Sequence, residues 1–108
     1  MTQPLTGDFR ELVRENLRRD PEFKREMLAS ISNRFLDGDL EFARHMMREY
    51  IVGEVSFQEL ARLTEIPSKS LSRMFGPKGN PTTKNLLKVI NAITVYEGIK
   101  LKVVAEKA

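Results

Sequence analysis

A short amphipathic stretch over residues 68–75 joins an apolar face to a face rich in hydroxyls and positive charge. Its polar side chains are Ser68, Lys69, Ser70, Ser72 and Arg73. Serine hydroxyls donate and accept hydrogen bonds, whereas lysine and arginine only donate them and carry positive charge. A guanidinium also donates two parallel hydrogen bonds to an acceptor pair such as O6 and N7 of guanine. These residue types suit a polyanion whose edges accept hydrogen bonds.

Two short helices joined by a tight turn must position these side chains. The capping-box spacing of Ser56 and Glu59 predicts the start of the first helix. Ala61 is small enough to let the two helices cross closely, and Ile66 and Leu71 supply apolar contacts that hold the turn. A helix-turn-helix offers its second helix to the major groove of DNA in this arrangement. An ordinary helical hairpin in a small bundle has the same pattern.

The whole chain predicts a single all-α domain of about six helices with a short C-terminal β-strand. Its parts are a disordered tail at residues 1–7, N-terminal helices at 8–53, the helix-turn-helix core at 54–97, and a strand and tail at 98–108. Apolar residues at i, i+3 and i+4 predict the helices. Period-two alternation from Ile99 to Val103 predicts the strand.

Local signals predict the boundaries of the N-terminal helices. Asp8 and the Asp20-Pro21 pair are expected to start the first two. Gly38 is expected to end the second helix and Asp39 to cap the third. Gly53 is expected to stop that third helix.

Composition and charge limit the function classes. The chain has 108 residues, 41% apolar and 31% charged, and no cysteine, which favours one soluble globular domain without disulfides. With no signal peptide and no long apolar run, we expect a cytoplasmic protein with no membrane partner. Net charge is −2 over residues 1–54 and +5 over residues 55–108. The basic surplus favours a polyanion partner, although a solvated basic face is the alternative.

Candidate catalytic and metal sites are weak. His45 is the sole histidine, and no second soft ligand stands near it at metal-ligand spacing. Gly76 and Gly79 lack the Gly-Lys-Ser/Thr ending of a phosphate-binding loop. We therefore expect no enzyme activity, no metal and no cofactor.

The segment from residue 56 to residue 104 resembles the lambda-repressor-like helix-turn-helix family, also called the Xre or Cro type. Residues 57–73 resemble its two-helix core. The features similar to its addiction-module antidote or prophage-regulator subfamily are Gly38-Asp39, Ser70-Leu71-Ser72-Arg73, Gly79-Asn80-Pro81, Leu86-Leu87-Lys88-Val89-Ile90 and Ile99-Lys100-Leu101. Glu65 departs from the family's usual glycine, and Pro67 from its small polar cap. Glu65 therefore predicts a left-handed residue that costs about 1 kcal/mol, or a turn that opens differently.

The resemblance implies a sequence-specific DNA-binding transcriptional regulator, a dimeric autorepressor that reads the major groove with the helix near residues 68–75. The implied base contacts are Ser68, Lys69, Ser72 and Arg73. The implied phosphate contacts are Gln58, Ser70, Lys78, Asn80, Thr82, Thr83 and Lys84. A homodimer is expected, because one short helix covers few base pairs. The predicted strand would pair with its twin through Ile99, Leu101 and Val103.

Two alternatives remain at this point. The chain could be an antitoxin that neutralises a small cognate toxin by protein–protein binding and uses DNA binding for autorepression. The helix-turn-helix could also serve protein interaction alone. Glu65, a negative charge near the expected DNA face, is the best sequence support for that last interpretation.

Overall fold

Six α-helices follow one another along residues 7–108, the part of the chain that the computed structural model describes, with side chains from residue 10 onward. They are α1 (Gly7–Arg19), α2 (Pro21–Leu36), α3 (Leu40–Tyr50), α4 (Phe57–Thr64), α5 (Ser68–Met74) and α6 (Thr83–Glu97), with a π-helical turn at Ile51–Val55. The predicted all-α class is confirmed. Apart from Gly7, the predicted disordered tail lies outside the described residues. None of these six helices is long and apolar enough to cross a membrane.

The boundary between α1 and α2, and the one between α2 and α3, follow their local signals. The Asp20 carboxylate accepts hydrogen bonds from the amides of Glu22 and Phe23 at 3.0 and 3.3 Å. Pro21 is the first residue of α2, where its missing N–H costs no hydrogen bond. Gly38 adopts a left-handed backbone with φ 83° between α2 and α3. Both predicted turns are therefore confirmed.

Two other boundary predictions are wrong, and one is half right. Helix α1 begins before Asp8, which therefore lies inside it. Asp39 is the N-cap residue of α3, as predicted, but its side chain makes no cap bond, and its Oδ2 accepts from Arg34 Nη1 at 3.1 Å instead. Gly53 lies within the π-helical turn that continues from α3, where a Cβ would be 2.7 Å from Cγ of Arg14 on α1. This glycine permits close helix packing and is not a stop signal.

One core lies where the N-terminal helices meet the C-terminal ones through the π-helical turn. Its fully buried side chains include Leu28, Tyr50, Leu60, Leu71 and Val89. Apolar periodicity also places Leu12, Leu40 and Leu87 on buried faces, but they are 58, 54 and 59% exposed. Periodicity identifies a helix, but it overestimates how wide a stripe the neighbouring helices cover.

A partly buried ionic cluster ties α2 to the end of α6. Lys24 Nζ lies 3.1 Å from Glu54 Oε1 and 3.6 Å from Glu97 Oε1, and the Tyr50 hydroxyl donates to Glu97 Oε2 at 2.5 Å. Burial raises the pKa of Glu54, and burial together with the bond to Glu97 raises the pKa of Tyr50. Burial lowers the pKa of Lys24, but the two carboxylates outweigh it and raise that pKa overall. The charged lysine therefore links the two halves of the chain.

The predicted C-terminal strand is wrong. No strand forms anywhere in residues 7–108, and residues 99–108 are irregular. Ile99 and Leu101 pack against the core, whereas Lys100 and Lys102 are exposed. A strand needs a hydrogen-bonded neighbour, and this segment lies beside α2, whose backbone is already paired within its own helix. The alternation therefore marks one face packed on a helical surface.

Candidate nucleic-acid interface

Helix α4 begins at a serine cap. Ser56 Oγ accepts a hydrogen bond from the Glu59 amide at 3.1 Å. The Glu59 carboxylate does not return this bond, because it accepts from Arg62 Nε at 2.9 Å. The Ser56 amide donates instead to the Ile51 carbonyl at 2.6 Å. Half of the predicted capping box is therefore present, and the π-helical turn supplies the missing acceptor.

The turn between α4 and α5 places Glu65 in the left-handed region, at φ 62° and ψ 21°. The Glu65 amide donates to the Ala61 carbonyl at 2.8 Å and closes the helix end. Thr64 Oγ1 donates to the Leu60 carbonyl at 2.8 Å and accepts from the Ile66 amide at 3.2 Å. The left-handed residue expected at this position is confirmed, and it carries the cost of a side chain where glycine is favoured.

Helix α5 turns one face to the core and the other to solvent. Leu71 is fully buried, and Phe75, just after the helix, is 1% exposed. The exposed residues are Lys69 and Arg73, and the partly exposed ones are Ser68, Ser70 and Ser72. Because residues four apart share a helix face, Lys69 and Arg73 project side by side.

A tight loop at residues 76–79 follows α5. A Cβ on Gly79 would lie 2.0 Å from the Met74 carbonyl oxygen, so that only glycine fits. Arg44 of α3 holds the loop from its other side, donating to the carbonyls of Gly79 at 3.1 Å and Pro77 at 3.0 Å. Exposed Lys78 therefore projects from a fixed backbone.

Arg48, one turn after Arg44 on α3, also contacts α5. Its Nη1 donates to the Ser72 carbonyl at 3.0 Å, and its guanidinium carbon lies 5.2 Å from the centre of the Phe57 ring. Sequence reasoning missed both arginines. Their four-residue spacing indicated that both lie on one face of α3. Their acceptors are 24 to 35 residues away along the chain, so local patterns did not reveal them.

Positive charge is concentrated after the turn. Residues 66–96 contain no Asp or Glu, and their five cations are Lys69, Arg73, Lys78, Lys84 and Lys88. Among the side chains of residues 10–108, no carboxylate forms an ion pair with any of the five. Cations without a carboxylate partner keep their field and attract a polyanion over a Debye length of about 8 to 10 Å.

A shallow groove of about 720 Å³ opens at the end of α5. It is lined by Arg48, Ser72, Arg73, Gly76, Pro77, Lys78 and Gly79, three of them cationic and none acidic. An adjoining cavity of about 320 Å³ shares Arg48, Gly76 and Pro77 with the groove and adds Arg10, Arg44 and the carboxylates of Glu41 and Glu49. The cavity therefore has mixed charge, whereas the charged residues that line the groove are all cations.

The remaining predicted contacts lie outside this groove. The exposed ones are Gln58, Asn80, Thr82, Thr83 and Lys84. Thr82 Oγ1 accepts from the Asn85 amide at 3.1 Å and so caps α6. Of the residues predicted to form the dimer, Ile99 and Leu101 already contact the core, whereas Val103 is 82% exposed. The structure thus brings Ser72, Arg73 and Lys78 together in the groove, and Lys69 lies beside Arg73 on the exposed face of α5.

Comparison of the chain with models of protein families, with characterised proteins and with solved structures finds no match.

Proposed function

We propose that the protein is a sequence-specific DNA-binding transcriptional regulator that lays α5 in the major groove as the second helix of a helix-turn-helix. The observation that carries this proposal is the exposed cationic face of α5, in a segment of 31 residues without a carboxylate. Arg73 reads guanine, Lys69 contacts a base or a phosphate, and Ser68 and Ser72 add hydrogen bonds. The lambda-repressor-like family resemblance is part of the same proposal.

Phosphate contacts position α5 without reading sequence. Lys78 and Asn80 supply them from the loop, and Lys84 and Thr83 from the start of α6. Gln58, in the first turn of α4, and Ser70, within α5, complete the set. Glu65 is the one carboxylate in the turn. Its negative charge weakens DNA binding unless the turn directs it away from the phosphate backbone of the DNA.

A homodimer is also part of the proposal, because two half-sites one helical turn apart supply the specificity that one short helix lacks. Since Ile99 and Leu101 are engaged with the core, only Val103 of the predicted dimer residues offers a largely exposed apolar side chain. The dimer would therefore use other surface in addition to this segment.

An antitoxin is the second candidate function. An apolar groove of about 490 Å³ between α1, α2 and α3 is lined in part by Leu12, Phe23, Phe42 and Met46, and Leu12 and Phe42 are 58 and 44% exposed. A small toxin encoded beside this gene would be its ligand. Purification of the two products as one complex would support this function, whereas their separate elution would count against it.

The first test compares Arg73→Ala with Lys84→Ala. Each variant is titrated with labelled DNA from the gene's own upstream region and with a scrambled duplex. The Arg73 change should lower specific binding by about 1 to 3 kcal/mol and non-specific binding much less. The Lys84 change should weaken both about equally.

The outcome separates the proposed functions. Equal losses on both duplexes in both variants would refute the division between base reading and phosphate contact. No binding to either duplex by the wild type would leave the helix pair as a protein-interaction module.

A further inference from the structure

We propose that the groove at the end of α5 binds one phosphate of the DNA backbone between Arg48 and Lys78. The proposal rests on the proposed DNA-binding function and adds to it a residue of α3, outside the two-helix unit. Arg48 is thus assigned as a DNA-binding residue in addition to its contact with α5.

The guanidinium of Arg48 is fixed before any ligand arrives. Its Nη1 donates to the Ser72 carbonyl at 3.0 Å, and its carbon lies 5.2 Å from the Phe57 ring centre. Among the described residues, its Nε and Nη2 donate no hydrogen bond. A planar, pre-oriented guanidinium with remaining donors is suited to phosphate oxygens.

Lys78 is a second cation that lines the groove. Lys78 lies on the loop that Arg44 and Gly79 hold in place. Arg73 also lines the groove, which therefore continues into the exposed cationic face of α5. A duplex that contacts this face carries its backbone past the groove.

Arg48 forms no ion pair with a carboxylate among the described residues. It also lines the adjoining cavity, which contains Glu41 and Glu49. Glu49 is 7% exposed and pairs with Arg14 Nη2 at 3.4 Å. Arg48 therefore offers an unpaired guanidinium to an external anion.

The test measures DNA affinity against salt concentration for Arg48→Gln, Lys78→Gln and Arg34→Gln. Glutamine keeps a donor for the Ser72 carbonyl but removes the charge. Arg34 is the matched control, because its guanidinium also lies over a phenylalanine, 4.8 Å from the Phe42 ring centre, but pairs with Asp39. The probe is a labelled 20-base-pair duplex of scrambled sequence, about two helical turns at 10 to 10.5 base pairs each.

We expect Arg48→Gln and Lys78→Gln each to reduce the slope of log affinity against log salt by about 0.9. Their affinity loss should therefore shrink about 3.5-fold as salt rises fourfold. Arg34→Gln should keep the wild-type slope. Arg48→Lys should restore most of the slope, because it restores the charge.

Three results would overturn the proposal. If Arg48→Gln lost the same affinity at every salt concentration and kept the wild-type slope, Arg48 would have only a structural role, and the DNA-binding function would stand without this site. Absence of salt-dependent binding by the wild type would remove the DNA-binding function and this site with it. Thermal stabilisation of the wild type, but not of Arg48→Gln, by inorganic phosphate alone, with an unchanged slope, would assign the groove to free phosphate.

Discussion

Basic side chains are used differently in the N-terminal helices and in residues 66–96. In α1 and α2, five cations pair with carboxylates of the same chain: Arg14–Glu49, Arg19–Glu15, Lys24–Glu54, Arg25–Glu22 and Arg34–Asp39. Residues 66–96 carry five cations and no carboxylate. Helices α1 and α2 therefore use most of their positive charge in contacts within the chain, whereas the second region has no carboxylate of its own to neutralise its positive charge.

This difference indicates which face meets a partner. An exposed ion pair contributes about 0 to 1 kcal/mol to stability and cancels most of its own field at a distance. A cation without a carboxylate partner contributes little to folding but preserves its field for a ligand. The paired cations of α1 and α2 therefore act within the fold, whereas α5 with its following loop, together with Arg48 of α3, presents positive charge to a ligand.

The largest expected effect comes from Gly79→Ala. The added Cβ would press on the Met74 carbonyl and displace the loop that carries Lys78. We expect a loss of about 2 to 3 kcal/mol in the free energy of unfolding, measured by urea titration. Gly76→Ala is the control, since its Cβ would lie 3.3 Å from the nearest carbonyl oxygen and should cost less than about 1 kcal/mol. Equal losses would mean that the loop is not fixed at Gly79.

Lys24→Met tests the internal use of charge in the first region. Removing the lysine leaves Glu54 and Glu97 facing each other with side chains 14 and 9% exposed. We expect a loss of about 2 kcal/mol in the free energy of unfolding. Arg25→Met removes the exposed pair with Glu22 on the same helix and should cost less than about 1 kcal/mol. A Lys24 variant as stable as the Arg25 variant would contradict the role of the cluster.

Glu65→Gly changes the turn between α4 and α5, just before the second of the two regions. Glycine relieves the left-handed backbone, so we expect a gain of about 0.5 to 1 kcal/mol in thermal or urea unfolding. Gly98→Ala is the reverse change at the left-handed cap of α6, where φ is 69°, and should destabilise by a similar amount. A destabilised Glu65→Gly protein would show that the glutamate side chain contributes a contact that outweighs the strain.

The smallest effect is a pair of opposite pH dependences. Burial raises the pKa of Glu54 above its value of 4.5 in the unfolded chain, so its contribution to stability falls as pH rises from about that value to the folded pKa. The hydrogen bond from Arg62 lowers the pKa of Glu59, whose contribution is present above 4.5 and lost as pH falls through the folded pKa. As pH rises from 4 to 7, the free energy of unfolding of Glu54→Gln should increase relative to that of the wild type. That of Glu59→Gln should decrease relative to the wild type over the same range. Urea unfolding across this range measures both, and shifts of the same sign would contradict the assignment.

Local chemistry made several elements predictable from sequence. The Asp20-Pro21 start and the Gly38 turn depend on residues within one turn of each other. The exposure of Lys69 and Arg73 follows from the burial of Leu71 one helical face away. Each of these features needs no distant partner.

Features that depend on distant partners were missed. Gly53 is required by Arg14, and the loop at residues 76–79 is held by Arg44, 35 residues before Gly79. The alternation after Gly98 predicted one apolar face, of which Ile99 and Leu101 pack against the core but Val103 is exposed, and it could not reveal that the covering surface is helical. Tertiary packing determines these features, and their partners lie too far away along the chain to be recognised from local sequence patterns.

The most direct measurement compares two triple variants in DNA binding. One replaces Lys69, Lys78 and Lys84 with glutamine, and the other replaces Arg19, Arg25 and Arg34, so that both lose the same net charge. On a duplex from the gene's upstream region, we predict that the first reduces the salt slope by about 2.7 and the second leaves it near the wild-type value. Equal reductions in the two variants would show that DNA senses only net charge, and would contradict a DNA-binding face on residues 66–96.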